Sequence, residues 1–259
     1  LPATLSDTIS NSYGCKVVLS GLAVTEPAAI VVADSITNVS CYGTATGAVA
    51  VRVSGGVGPY SYLWSNGDTT ATLSNVGIGT YSVSVYDANF CSVVAMFTIT
   101  EPAALVATVD STRNPLCNGA NAGAIFTSVI GGVTPYSVVW SGGSSTNLSA
   151  GTYIATVTDA NGCTTTVSAT LTEPTALVAT VDSTTSVKCY ADATGGVLIS
   201  ATGGTGAYTY LWSNGAITQN LVNVVAGTYT CTVTDINGCS TTVSSTVSAP
   251  SAIVLTATK

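Results

Sequence analysis

Apolar and polar residues alternate in short runs along most of this chain. Tyr60, Tyr62 and Trp64 fall on one face at a period of two, and so do Tyr81, Val83 and Val85, with Ser82, Ser84 and Tyr86 opposite. An apolar strand is expected over Ile30–Ser35. A second covers Ala48–Val53 and stops at Gly55-Gly56, a short one covers Ala71–Val76, and a last runs from Cys91 to Thr100 and ends at Glu101-Pro102. Ser65-Asn66-Gly67 and Asp87–Phe90 carry turn residues. The longest apolar stretches, such as Ala28–Ala33, are strand-sized and far short of the ~20 residues of a spanning helix.

The same order of signals then returns. Trp64, Trp140 and Trp212 are spaced by 76 and 72 residues, as are Cys41, Cys117 and Cys189. Cys15, Cys91, Cys163 and Cys239 are spaced by 76, 72 and 76, and Glu26-Pro27, Glu101-Pro102, Glu173-Pro174 and Ala249-Pro250 by 75, 72 and 76. These are tandem copies of one unit. Whole copies are expected at 28–102, 103–174 and 175–250. Residues 1–27 match the C-terminal half of a copy, and 251–259 match the first strand of a further one. Six or seven short strands per copy, with turn signals every 8–12 residues, predict an all-β chain. Its architecture is expected to be tandem immunoglobulin-like β-sandwich repeats of about 72–76 residues, with the tryptophan of the third strand in the core.

Composition narrows the function. Only 7% of residues are charged, against about 25% in ordinary domains. Five basic and twelve acidic residues leave a net charge of −7, which argues against binding nucleic acid or docking on anionic lipid. With no histidine there is no His-dependent triad and no His-ligated zinc. The acids recur once per copy, at turns and strand ends, rather than gathering in one pocket. No enzyme, no cofactor and no metal site is expected.

The unit resembles the SprB repeat of Bacteroidota cell-surface proteins. The residues that carry the resemblance are Cys117-Asn-Gly, Gly131-Gly-Val-Thr-Pro-Tyr136, Trp140, Ala150-Gly-Thr-Tyr153, Val157-Thr-Asp-Ala-Asn-Gly-Cys163 and Glu173-Pro174. The third copy departs from the pattern at Ala207 and Ile236. The resemblance implies secretion, surface display and a role in adhesion or gliding motility. On this reading the chain is a structural protein of an adhesin stalk or surface filament. A glycan-binding surface module using the repeated Tyr and Trp side chains is the alternative.

Eight cysteines in small repeated domains suggest an oxidising compartment. Cys15, Cys41, Cys91, Cys117, Cys163, Cys189 and Cys239 are disulfide candidates, and three regular pairings are open to them. They join cysteines within a copy (Cys41–Cys91 and its equivalents), across a linker (Cys91–Cys117 and its equivalents), or between neighbouring copies (Cys41–Cys163 and Cys117–Cys239). In an immunoglobulin-like strand order, a strand of about 26 Å separates the two positions of one copy. A disulfide needs Cα atoms within about 7 Å, which favours the scheme between copies. That scheme leaves Cys189 and Cys15 without partners inside the chain, and a Cys189–Cys15 bond between successive subunits is expected. Cys231 replaces Val83 and Ala155 on an inward face and is expected to be a buried free thiol.

Partners are expected to be copies of the chain head-to-tail, or flanking repeats of a longer chain, plus a glycan or surface ligand. Ala252–Thr256 is a candidate donor strand for the half copy at the other end. Asp-Ser/Thr triplets resembling the O-glycosylation motif of Bacteroidota secreted proteins make Thr8, Ser35, Thr69, Ser111 and Ser183 candidate glycan sites; strand-end turn chemistry explains the same residues equally well. The Asp159–Cys163 turn offers too few side chains for calcium, which takes six to eight oxygen ligands.

Overall fold

The computed structural model describes residues 3–255, apart from the side chains of Ala3 and Leu22. Among them every regular element is a strand. The hairpin of β1 (Ala3–Ser10) and β2 (Lys16–Val24) comes first. Three sets of six strands follow. The first is β3 (Val31–Thr37), β4 (Gly47–Ser54), β5 (Ser61–Trp64), β6 (Thr72–Val76), β7 (Gly79–Tyr86) and β8 (Ser92–Ile99). The second is β9 (Val106–Arg113), β10 (Gly123–Ile130), β11 (Ser137–Trp140), β12 (Thr146–Leu148), β13 (Gly151–Thr158) and β14 (Thr164–Leu171). The third is β15 (Val178–Thr185), β16 (Gly195–Thr202), β17 (Thr209–Trp212), β18 (Leu221–Val224), β19 (Gly227–Thr234) and β20 (Ser240–Val247).

Each set makes two three-stranded sheets, ordered β3-β4-β6 and β5-β7-β8 in the first, and the same order recurs in the others. First, second and fourth strands lie in one sheet; third, fifth and sixth lie in the other. This is the immunoglobulin-like sandwich order with one edge strand missing. The alternation read from the sequence sets what is buried. Val83 and Val85 are fully buried, and Trp64 packs with them, Val49, Leu73 and Ile99. Trp140 with Ile125, Leu148 and Leu171, and Trp212 with Val197, Ile199 and Val233, repeat the arrangement. Each of Trp64 and Trp212 donates its indole N–H to a backbone carbonyl, Thr70 at 2.8 Å and Thr218 at 2.9 Å, which satisfies the polar atom that burial would otherwise orphan.

The paired glycines after the second strand have a steric cause. Gly55, Gly131 and Gly203 all have φ near +75°, and a Cβ there would run into the carbonyl of Ala29, Ala104 or Ala176. The carbonyl oxygens of these glycines accept the hydroxyls of Tyr60 (2.5 Å), Tyr136 (2.6 Å) and Tyr208 (2.7 Å), which ties Gly-Gly to the tyrosine five residues on.

The chain divides into two compact units. One holds the residues up to Val106 with Ile130–Tyr136 and Thr158–Thr164; the other holds Ala107–Val129, Ser137–Val157 and Thr165 onward. Residues 251–255 form no strand, and Ile253, Val254 and Leu255 are exposed. The candidate donor strand has no strand partner among the described residues over its described part, Ala252–Leu255, and Thr256 lies outside the described residues. Residues 1, 2 and 257–259 of the two terminal half copies also lie outside them.

Candidate functional site

The chemistry concentrates where the last hairpin of one copy meets the first loop of the copy before it. The hairpin turn is built by one carboxylate. Asp159 Oδ1 accepts the N–H groups of Asn161 (2.9 Å) and Cys163 (2.8 Å), and Oδ2 accepts that of Val133 (2.9 Å). Asp87 and Asp235 make the same three bonds, to Asn89, Cys91 and Val57 and to Asn237, Cys239 and Thr205. All three aspartates are 5% exposed. Their oxygens are occupied by backbone donors, so the turn is a structural device rather than a cation cradle.

Burial pushes these carboxyls up, but the backbone donors outweigh it and hold all three below the ordinary value of 3.8. A carboxyl depressed in the fold stabilises it above its unfolded value, and that contribution is lost as pH falls through the folded one. Melting temperature is therefore expected to stay level down to about pH 4 and to fall steeply below it. Replacing Asp87, Asp159 and Asp235 by Asn should lower the neutral-pH melting temperature and flatten the acid limb; an unchanged acid limb would remove the aspartates from the account.

The turn holds its cysteine against another copy. In the first unit, Cys163 is bonded to Cys41 with Cα atoms 5.7 Å apart, and Asn161 Nδ2 donates to the Ser40 carbonyl at 2.9 Å. In the second unit, Cys239 is bonded to Cys117 at 5.6 Å, and Asn237 Nδ2 donates to the Leu116 carbonyl at 3.3 Å. Each bond joins cysteines 122 residues apart, a loop that stabilises by about 5 kcal/mol in the chain-entropy model. No bond forms within a copy or across a linker among the described residues. The first loop is held from its own copy as well: Glu101 accepts the Gly43 N–H at 2.7 Å, and Glu173 the Gly119 N–H at 2.8 Å. These Asn and Glu contacts were not foreseen from sequence, although both residues recur in register. The third loop has Ala191 and Ala249 in place of Gly and Glu, and lacks this clamp.

Cys15, Cys91 and Cys189 are free and exposed; Cys231 is free and fully buried, facing Trp212 across β17 and β19. That Cys91 also lacks a partner follows from the pairing between copies but was missed in the sequence. Thr8, Ser35, Thr69, Ser111 and Ser183 are all exposed. Asp34, Asp110 and Asp182 lie inside β3, β9 and β15, not at strand-end turns as expected. Asp110 and Asp182 accept the hydroxyls of Ser128 and Ser200 on the neighbouring strand, both at 2.8 Å, so cross-strand pairing sets their place. Tyr62 and Tyr210 are half-buried against the cores, with Tyr60 and Tyr208 beside them.

Among solved structures, three N-terminal domains of the Hoc outer capsid protein of bacteriophage RB49 are similar at 17% identity, covering 84% of this chain and 97% of that one, with a TM-score of 0.36. The N-terminal eight immunoglobulin domains of Down syndrome cell adhesion molecule match at 11% identity over 96% of this chain and 43% of that one, TM-score 0.37. Domains 1–6 of the surface layer protein SbsC match at 16% identity over 96% and 44%, TM-score 0.26. No curated protein matches the chain. The SprB repeat model matches residues 33–69, 109–145 and 181–217, once in each six-stranded set and always from the opening strand past the core tryptophan. Over these three segments the chain is similar to the SprB repeat.

Proposed function

We propose that this is a structural protein displayed outside the cell, a segment of an adhesin stalk or surface filament whose work is mechanical. The observation that carries the reading is the pair of disulfides Cys41–Cys163 and Cys117–Cys239, each joining one repeat to the next. Such bonds persist in oxidising surroundings and resist separation of neighbouring copies under load. The low charge fits a surface that neighbouring copies pack against, and the three cores leave the aromatic side chains to packing. The flanking partners are further copies of the repeat, and the acids are used within each copy rather than for catalysis.

Intact cells of the source organism provide the test. An antibody raised against the folded chain should label them without permeabilisation, and brief treatment with a non-specific protease should remove the label. Signal only after permeabilisation would overturn the reading.

A further inference from the structure

An asparagine followed by glycine can close on itself. The glycine nitrogen attacks the side-chain amide carbon, ammonia leaves, and water opens the resulting succinimide to aspartate or isoaspartate. Glycine suits the step because no Cβ crowds its nitrogen. The chain holds five such pairs, beginning at Asn66, Asn118, Asn161, Asn214 and Asn237.

In four of them the glycine N–H is bonded to a backbone carbonyl of its own turn. Gly67 donates to Trp64 at 2.9 Å, Gly162 to Asp159 at 3.1 Å, Gly215 to Trp212 at 2.8 Å and Gly238 to Asp235 at 3.0 Å. A peptide carbonyl does not take up the proton that an attacking nitrogen must lose. The side chains of these four are also held elsewhere. Asn66 and Asn214 accept the N–H groups of Asp68 and Ala216, both at 3.2 Å, and Asn161 and Asn237 donate to the Ser40 and Leu116 carbonyls.

The fifth pair meets a carboxylate. Glu173 Oε2 accepts the Gly119 N–H at 2.8 Å, and Glu173 Oε1 accepts Asn118 Nδ2 at 2.9 Å. Asn118 Nδ2 also donates to the Pro174 carbonyl at 3.1 Å. One carboxylate thus touches both the nitrogen that would attack and the amine that would leave, and draws them to the same side of the loop. A general base must stand within hydrogen-bond reach of the proton it abstracts, and this one does. Asn118 and Gly119 are both exposed, so water reaches the ring once it forms.

We propose that Asn118 is a self-modification site, which Glu173 converts to aspartate and isoaspartate ahead of the other four pairs. Gly119 N bonds to Asn118 Cγ as its proton passes to the Glu173 carboxylate. The Cγ–Nδ2 bond then breaks, the proton goes from Glu173 to the departing nitrogen, and ammonia is released. One N–C bond forms, one C–N bond breaks, and Glu173 ends as it began. One water then hydrolyses the ring. Glu173 acts once on its own copy and turns over no external substrate.

The other two first loops lack this chemistry. Glu101 accepts the Gly43 N–H at 2.7 Å, but Tyr42 precedes that glycine; the third copy has Tyr190-Ala191 and Ala249 instead. The product undoes the clamp in the second copy alone. A new carboxylate meets Glu173 where an N–H donor stood, and like charges repel. The Cys117–Cys239 bond still ties the loop to the next copy. The second copy therefore acquires an ageing mark beside a bond that keeps the chain joined.

The freshly purified, oxidised full chain is held warm at neutral pH, sampled over days, reduced, digested with trypsin and sequenced by fragmentation mass spectrometry. Peptide 53–113 carries Asn66, 114–188 carries Asn118 and Asn161, and 189–259 carries Asn214 and Asn237. Conversion should appear first at Asn118, preceded there by a transient loss of ammonia. Glu173→Gln should slow it by about 10²-fold, the lower end of what a positioned general base supplies. Ala249 stands at the same place in the third copy, so the fold does not depend on this carboxylate. Tyr42→Asn, at a side chain 60% exposed, sets the same pair against Glu101 and should create a second fast site. Conversion at Asn66 or Asn214 before Asn118 would overturn the proposal. So would a rate at Asn118 that is unchanged or raised in Glu173→Gln, since the carboxylate would then be a shield, and so would a Tyr42→Asn chain that stays slow at position 42. The cell-labelling result does not depend on any of these outcomes.

Discussion

Pulled from its ends until the folded copies give way, the reduced chain is expected to lengthen far more than the oxidised one. Fully extended chain spans about 3.5 Å per residue, so the roughly 200 residues from Cys41 to Cys239 reach about 700 Å once reduced. Oxidised, the load bypasses most of them. It crosses the bond from Cys41 to Cys163, runs back along about 46 residues to Cys117, and crosses to Cys239, a path of about 160 Å. The interlocking follows from bonding each first loop to the hairpin of the copy after it, so the two closed loops overlap in sequence. In C117A the Cys41–Cys163 bond remains and the load runs on through about 76 residues to position 239, reaching about 270 Å. Single-molecule extension with and without a thiol reductant measures all three lengths. Equal extension in oxidising and reducing buffer would mean that the bonds carry no load.

The strands and their inward faces were legible because alternation and turn residues are local signals, and three copies repeat them in register. The expected strands at Ala48–Val53 and Ala71–Val76 match β4 (Gly47–Ser54) and β6 (Thr72–Val76) to within a residue or two. The disulfide scheme needed one step more, since it depends on which end of a sandwich each loop occupies. That much was inferable from strand order, because the strand length separates Cys41 from Cys91. Contacts from side chain to backbone were not legible. Asn161 reaches the Ser40 carbonyl across 121 residues, and a carbonyl leaves no mark in the sequence. The Asp-Ser pairs were misplaced for a related reason. Asp and Ser favour turns on average, but Asp110 and Asp182 find serine hydroxyls on the adjacent strand and stay inside the sheet. The loss of the Glu clamp in the third copy was visible as Ala249, yet its meaning required seeing what Glu101 and Glu173 hold.

Replacing Trp212 by alanine is expected to release the third copy and expose the one buried free thiol. Trp212 is 2% exposed, packs among Val197, Ile199 and Val233, and pairs with Cys231 across β17 and β19. Truncating a buried tryptophan costs about 3–5 kcal/mol, and a sandwich of this size has little more than that in total. In the wild type, burial pushes the Cys231 thiol up in pKa, more than the backbone bond from Leu211 lowers it, so the group is both shielded and poorly ionised. An aromatic disulfide reagent should therefore titrate Cys15, Cys91 and Cys189 at once and reach Cys231 only through opening of the third copy. In Trp212→Ala that slow phase should accelerate by about 10²- to 10⁴-fold, the factor that about 3–5 kcal/mol of lost stability implies when opening is in rapid equilibrium. The same substitution at Trp64 opens the first copy and should leave the Cys231 phase unchanged, since each core is built from residues of its own copy. A wild-type Cys231 that reacts as fast as the exposed thiols would show that the third core does not exclude solvent. A fast phase in Trp64→Ala would show that the copies unfold as one body rather than separately.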